Sequence, residues 1–136
     1  MKRSELRENI FKLVFSLTNE ENINEQSLEF YFSDNKIEGK DSEYIKEAIN
    51  SIYENLDKID EIIAENSHKY SVDRLSAVTL CVLRVAIWEI TFKEDIPNNV
   101  SASEAVKISE KYDDEKAKGY INGILGAYIR KLEGKN

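Results

Sequence analysis

From Leu75 to Ile90 the chain reads LSAVTLCVLRVAIWEI, and between Ala77 and Trp88 only Thr79 and Arg84 are polar. A surface helix carries one apolar stripe, whereas a segment apolar almost all round packs on most of its sides. The run falls short of the roughly 20 apolar residues that span a bilayer. It is too long for one strand, and neither glycine nor proline breaks it. The pattern predicts a buried central helix that starts at Ser71 or Asp73 and ends near Phe92 or Lys93. Pro97, which cannot continue a helix comfortably, follows soon after. The other helices are expected to wrap around this one.

The rest of the chain alternates between apolar stripes at helical spacing and short polar breaks. A first helix is predicted from about Ser4, a fair N-cap residue, with Leu6, Ile10, Leu13, Val14 and Leu17 on one face. Phe11 and Phe15 lie four apart at the edge of that face; Phe15 can be core or a partner contact, and core is the first expectation. Arg3 and Arg7, four apart, share a side. After a polar break at Thr18 to Asn22, a weaker helix runs from Asn24 to Phe32 on Leu28, Tyr31 and Phe32. Ser33 to Lys40 reads as loop. Asp41 is expected to cap one long helix with a stripe of Tyr44, Ile45, Ala48, Ile49, Ile52, Leu56, Ile59, Ile62 and Ile63. That is roughly six turns at about 3.6 residues per turn. A short break spans Asn66 to Ser71.

Beyond the central run, Ser101 and Glu104 match a capping box and predict a short helix to about Lys111. Asp113 or Asp114 then caps a last helix packed through Tyr120, Ile121, Ile124, Leu125, Tyr128, Ile129 and Leu132. Gly119, Gly123 and Gly126 would each cost about 1 kcal/mol relative to alanine in a helix interior. Three within eight residues predict close packing against another backbone or a ligand. The whole pattern is that of an all-α bundle protein.

At 136 residues the chain is most simply one compact unit with a real core. One proline and five glycines agree with an all-helical chain. The single Cys81 lies inside the apolar run, which leaves no partner for an intramolecular disulfide and favours a small core residue. No apolar signal-peptide core follows Met1, so a cytoplasmic protein is expected. The net charge of −7 argues against a general nucleic-acid binder, but the charge is unevenly spread. Residues 1–18 are net +2, residues 19–66 net −10 and residues 67–136 net +1. A basic tip beside a near-neutral C-terminal half can meet a phosphate backbone locally. By charge alone, a solvated acidic face and an ordinary tip remain the simpler reading.

Nothing in the sequence points to catalysis. His68, the lone histidine, sits in a polar break, and no CxxC, HExxH, phosphate-binding glycine loop or nucleophile elbow occurs. Arg84 is the one charge within the apolar run; a structural ion pair with a carboxylate of a neighbouring helix is expected, because an unpaired buried arginine is costly. Glu89 is a second expected structural side chain.

Taken together, four segments resemble the NusB family of transcription antitermination factors. VLRVAIWEI is similar to its LR-x-A-x-x-E pattern, DIPNNVSASEAVKISEKY to its proline-valine-(N/S)-E-A-V segment, and KGYINGILG to its (F/Y)-(V/I)-N-G-(V/I)-L. Arg7-Glu8-x-Ile10-x-x-x-Val14-Phe15 resembles R-x-x-A-x-Q-x-L-Y. No single piece is specific, but four occur in order at family spacing over nearly the whole chain. The resemblance implies a non-enzymatic, all-α fold of two packed three-helix bundles around the central helix, about 1–66 and 71–133, with no cofactor or metal. It implies binding to boxA, a short single-stranded element of ribosomal RNA leader transcripts, together with the ribosomal protein NusE. It also implies a role in the RNA polymerase antitermination complex with NusA and NusG.

Carried over by position, the RNA-binding residues are Lys2, Arg3, Arg7, Lys116, Lys118, Tyr120 and Asn122, and the NusE-binding residues are Phe15 and Thr79. The chemistry agrees: lysine and arginine neutralise phosphates, an aromatic ring stacks on an unpaired base, and an amide reads a base edge. Tyr120 and Asn122 can equally be core residues at helical spacing. Several positions depart from the family pattern. Glu5 and Glu8 dilute the basic tip, Ile10 replaces a small alanine, Lys12 replaces glutamine, and Phe15 lacks a tyrosine hydroxyl. Ser103, Gly126 and Thr79 stand where asparagine, an acidic residue and a charged residue are common. Weak RNA binding without NusE is the expected consequence. Homodimers also occur among such proteins, which makes a second copy a further candidate partner. The competing reading is a protein-only helical module that docks through the acidic face of residues 19–66. NusB-like domains also occur fused to RNA methyltransferases; no methyltransferase part lies within the chain to Asn136, so a free-standing factor is expected.

Overall fold

The apolar stripes become helices in the computed structural model, which describes residues 1–18, 24–67 and 74–134. Among these residues there are seven helices and no strand. They are α1 (Arg3–Ser16), α2 (Glu25–Asp34), α3 (Gly39–Glu54), α4 (Leu56–Asn66), α5 (Ala77–Phe92), α6 (Asn98–Tyr112) and α7 (Ala117–Leu132). The chain divides into two compact units, Met1–Asn55 and Leu56–Asn136. The first holds α1 to α3 and the second α4 to α7, so the division falls at Asn55 and not in the 66–71 break. His68, Ser71 and Asp73 lie outside the described residues.

In the first unit, α1 buries Leu6, Ile10, Phe11, Leu13 and Val14, with Leu17 just beyond its end. Phe11 joins the core, whereas Phe15 is 44% exposed. The N-cap is Lys2, not Ser4, and its backbone N–H donates to the Glu5 carboxylate at 3.3 Å. For α2 the cap is Asn24, whose Oδ1 accepts from the N–H groups of Gln26 (2.9 Å) and Ser27 (3.3 Å). That satisfies donors which a helix start leaves without internal partners.

The long helix expected from Asp41 to Ile63 is two helices. Asn55 ends α3, and its carboxamide donates to the Ser51 carbonyl at 2.8 Å. Asparagine competes for backbone hydrogen bonds in this way and favours helix ends over interiors. The break escapes a periodicity reading because Ile52 and Ile59, on either side of it, keep a two-turn spacing and are both buried. Nor does Asp41 cap α3: Glu38 occupies the N-cap position, and Asp41 lies in the first turn, where a negative charge favours the helix dipole.

The second unit is built around α5. Cys81, Val82, Leu83, Val85, Ala86, Ile87, Trp88 and Ile90 are all buried. Its start is Ser76, whose hydroxyl accepts from the Thr79 N–H at 3.0 Å. The few polar side chains of α5 each reach a different neighbour. Arg84 donates Nε and Nη2 to the two carboxylate oxygens of Asp60 on α4, both at 2.9 Å. Glu89 accepts from the Ser101 hydroxyl of α6 at 2.6 Å. Thr91 shares a 2.8 Å hydrogen bond with the Tyr128 hydroxyl of α7.

The Ser101 bond corrects the capping-box expectation. Helix α6 begins at Asn98, with Pro97 as its N-cap residue, so Ser101 and Glu104 lie inside the helix. Proline fits at a helix start, where its missing N–H removes nothing. Ser101 faces inward because a carboxylate buried on α5 needs a donor, and leaving one without partners costs several kcal/mol.

This arrangement ranks two substitutions. Replacing Ser101 with alanine removes a donor from buried Glu89, and the expected loss is about 1–3 kcal/mol of unfolding free energy. Asp60 is 37% exposed, so its pair with Arg84 is partly screened by solvent. Asp60→Asn is therefore expected to cost less, about 1 kcal/mol or below. Urea denaturation of the two variants tests the order; equal losses would contradict it.

Candidate nucleic-acid interface

The basic tip is organised by α1 and α3 within the first unit. Lys2 and Arg3 are exposed, and the Arg3 guanidinium carbon stands over the Tyr44 ring, 5.5 Å from its centroid. A cation over a tyrosine face is held by the ring quadrupole. The Met1 ammonium pairs with Asp41 at 3.3 Å. Arg7 differs from its expected role: it is 4% exposed, so its charge belongs to the interior of this unit and not to a phosphate-facing surface.

In the second unit, the first turns of α7 bring together Lys116, Lys118, Tyr120 and Asn122. Asp114 builds this helix start by accepting from the N–H groups of Lys116 (3.0 Å) and Ala117 (3.2 Å). Lys116 and Asn122 are exposed, and Lys118 and Tyr120 are half-buried. Spacing places Lys118 and Asn122, four apart, on one face, with Gly119 and Gly123 beside them. The Lys118 ammonium already stands 3.7 Å from Glu110 and 4.0 Å from Glu115. Four carboxylates (Glu110, Asp113, Asp114 and Glu115) thus interleave with Lys111, Lys116 and Lys118 in sequence. Lys111, which the sequence reading did not single out, lies over the Tyr112 ring at 5.5 Å.

The glycines of α7 do not mark internal close packing. A Cβ placed on Gly119 or Gly123 meets no described atom within 4 Å, and one on Gly126 would meet only the flexible end of Arg130 at 3.2 Å. At Gly119 and Gly123 nothing among the described residues offsets the helix cost of glycine. What they leave is a flat, open strip of helix next to Lys118 and Asn122.

The two expected protein-contact residues separate. Phe15 is open to solvent and in contact with the Phe11 ring, the centroids 6.3 Å apart. Thr79 is 3% exposed, with its hydroxyl 2.5 Å from the Asp113 carboxylate. It is an interior strut, not an exposed docking contact. Its neighbours in sequence are apolar, and that gave no sign of the bond to come. The acidic face that supports the competing reading lies on the outer side of α3, where Glu43, Lys46, Glu47, Asn50, Ser51 and Glu54 line a shallow depression. There Lys46 pairs with Glu25 and lies 4.0 Å from Glu29; the Glu25 hydrogen bond raises its pKa above the ordinary lysine value. No helix among the described residues is long and apolar enough to cross a membrane.

The model of the NusB family matches residues 4–130. The chain belongs to the NusB family. Family members act as transcription antitermination proteins. The transcription antitermination protein NusB of Clostridium acetobutylicum is 38% identical over 135 residues, which cover 99% of this chain and all of that protein. Among solved structures, T. maritima NusB superposes with a TM-score of 0.85 at 31% identity, covering 96% of this chain and 92% of that one. A complex of the antitermination factors NusB and NusE with double-stranded RNA contains a chain that matches with a TM-score of 0.82 at 25% identity, covering 95% and 96%. Within this NusB-family chain, the open α7 glycines make a direct prediction. Gly119→Ala and Gly123→Ala should each raise stability by up to about 1 kcal/mol, because neither methyl group meets a neighbour. Thermal unfolding measures it; a destabilised variant would show a hidden steric constraint on that face.

Proposed function

We propose that this chain is a non-enzymatic transcription antitermination factor that binds boxA-type single-stranded leader RNA of ribosomal RNA operons together with NusE. In that role it suppresses termination as part of the RNA polymerase complex with NusA and NusG. The observation that carries the reading is the full-length match to NusB proteins, one of which has been solved with NusE and RNA. The RNA-facing residues in this reading are Lys2 and Arg3 on the tip and Lys116, Lys118, Tyr120 and Asn122 at the start of α7. Phe15 is the NusE-facing residue.

The local chemistry supports modest intrinsic affinity. Exposed lysines release counterions from phosphates on binding, which makes the affinity fall with salt. Carboxylates beside Lys118 oppose the same phosphates, so a second RNA-binding surface, supplied by NusE, is needed for tight binding. The open strip at Gly119 and Gly123 lets a sugar-phosphate backbone approach the helix closely. A half-buried Tyr120 offers part of its ring for stacking on an unpaired base.

The test is binding of a labelled boxA-type RNA to the purified chain, with and without NusE, at about 50 and about 200 mM salt. Synergistic, salt-sensitive binding is expected, weakened in Arg3→Ala and Lys118→Ala. Equal affinity with and without NusE would contradict the cooperative reading. No binding by a folded chain, or binding of duplex and single-stranded RNA alike, would contradict recognition of unpaired boxA. Capture of NusE without any RNA binding would favour the protein-only module.

A further inference from the structure

The start of α7 is tied to the start of α5 by an unbroken set of hydrogen bonds. The Ser76 hydroxyl caps α5 by accepting from the Thr79 N–H, and lies 2.9 Å from the Thr79 hydroxyl. The Thr79 hydroxyl donates to Asp113 Oδ2 at 2.5 Å. The other oxygen of Asp113 accepts from the Asp114 N–H at 2.9 Å, and the Asp114 carboxylate in turn caps α7 at Lys116 and Ala117. Thr79 is buried within the apolar α5, whereas Asp113 and Asp114 form the turn that links α6 to α7. Asp113 uses one carboxylate oxygen toward Thr79 in the core and the other toward the Asp114 N–H in the turn.

We infer that Thr79 and Asp113 are positioning residues that fix the α6–α7 turn, and with it the direction in which Lys116 and Lys118 are presented to RNA. This inference rests on the RNA-binding role proposed for the start of α7. Neither residue touches RNA in it. A turn rich in carboxylates resists holding its lysines outward unless the carboxylates have fixed partners. The strut supplies one to Asp113, and the cap engages Asp114. The Lys118 ammonium lies near the carboxylates of Glu110 and Glu115. Binding to a preset turn avoids the ordering cost that a loose one meets at the moment of association.

The experiment compares Thr79→Val, which keeps the shape and loses the hydroxyl, with Thr79→Ser, which restores it, and with Asp113→Asn. Two readouts are taken on the folded full chain. The first is amide hydrogen exchange at Lys116, Ala117 and Lys118, with Leu83 and Ile87 in α5 as internal references. The second is affinity for labelled boxA-type RNA in the presence of NusE, and its slope against salt. In Thr79→Val and Asp113→Asn the three turn amides should lose protection while the α5 amides keep theirs. RNA affinity should fall about tenfold, with a shallower salt slope as phosphate contacts are lost. Thr79→Ser should restore both. A merely structural role would lower protection everywhere and leave the salt slope unchanged, which would overturn the inference, as would normal turn protection in Thr79→Val. If the wild-type chain binds no RNA, the functional reading fails on its own, and the exchange data still decide whether the strut fixes the turn.

Discussion

Everything in the second unit follows from one constraint: α5 is apolar on nearly all sides and must be covered. A covered helix still has to choose which neighbour lies where, and apolar packing is only weakly directional. The polar side chains of α5 resolve that choice. Thr79 bonds the α6–α7 turn, Arg84 the α4 carboxylate Asp60, Glu89 the α6 hydroxyl Ser101, and Thr91 the α7 phenol Tyr128. The four contacts are spread from the first turn of the helix to its last. Any slip of a neighbour by one turn would strand a buried or half-buried polar group, and such a group costs more to leave unmet than the bond contributes when made.

That organisation explains what was legible in the sequence. The central helix was readable because LSAVTLCVLRVAIWEI cannot be satisfied at a surface, and α1 because Leu6, Ile10, Leu13, Val14 and Leu17 repeat at helical spacing. Misreadings arose where a residue type serves two purposes. Ser101 and Glu104 have the spacing of a capping box, but Ser101 answers a long-range demand from Glu89 that a local motif does not reveal. Asn55 interrupts a stripe whose phase continues through it, so Ile52 and Ile59 look like one helix. The glycines of α7 suggested close packing against another backbone or a ligand; the space beside Gly119 and Gly123 is open, which removes the first of these among the described residues.

The candidate site was legible to a lesser degree. Sequence proximity alone puts Lys116, Lys118, Tyr120 and Asn122 in one stretch, and the helix then sorts them by face. Burial sorts the others. Arg7 and Thr79 look in sequence like surface side chains, a basic residue beside a basic residue and a polar break in an apolar run, yet both are interior. For Thr79 the local pattern does not reveal this, because its partner, Asp113, is distant in sequence. The N-terminal tip shows the same dependence, with Arg3 set by Tyr44 and the Met1 ammonium by Asp41.

Charge gives the function its character. A chain of net charge −7 does not bind RNA by general attraction, and the lysines at the start of α7 are interleaved with carboxylates. Such a surface recognises RNA only where a few groups are held in place and a partner adds to them. The most direct measurement is an NMR titration of the isotope-labelled chain with boxA-type RNA in the presence of NusE, following backbone amides. The account predicts RNA-dependent shifts at Lys2, Arg3 and Lys116 to Gly123, with the outer face of α3 around Glu43, Glu47 and Glu54 silent. Shifts confined to that acidic face, or none at the α7 start, would contradict it.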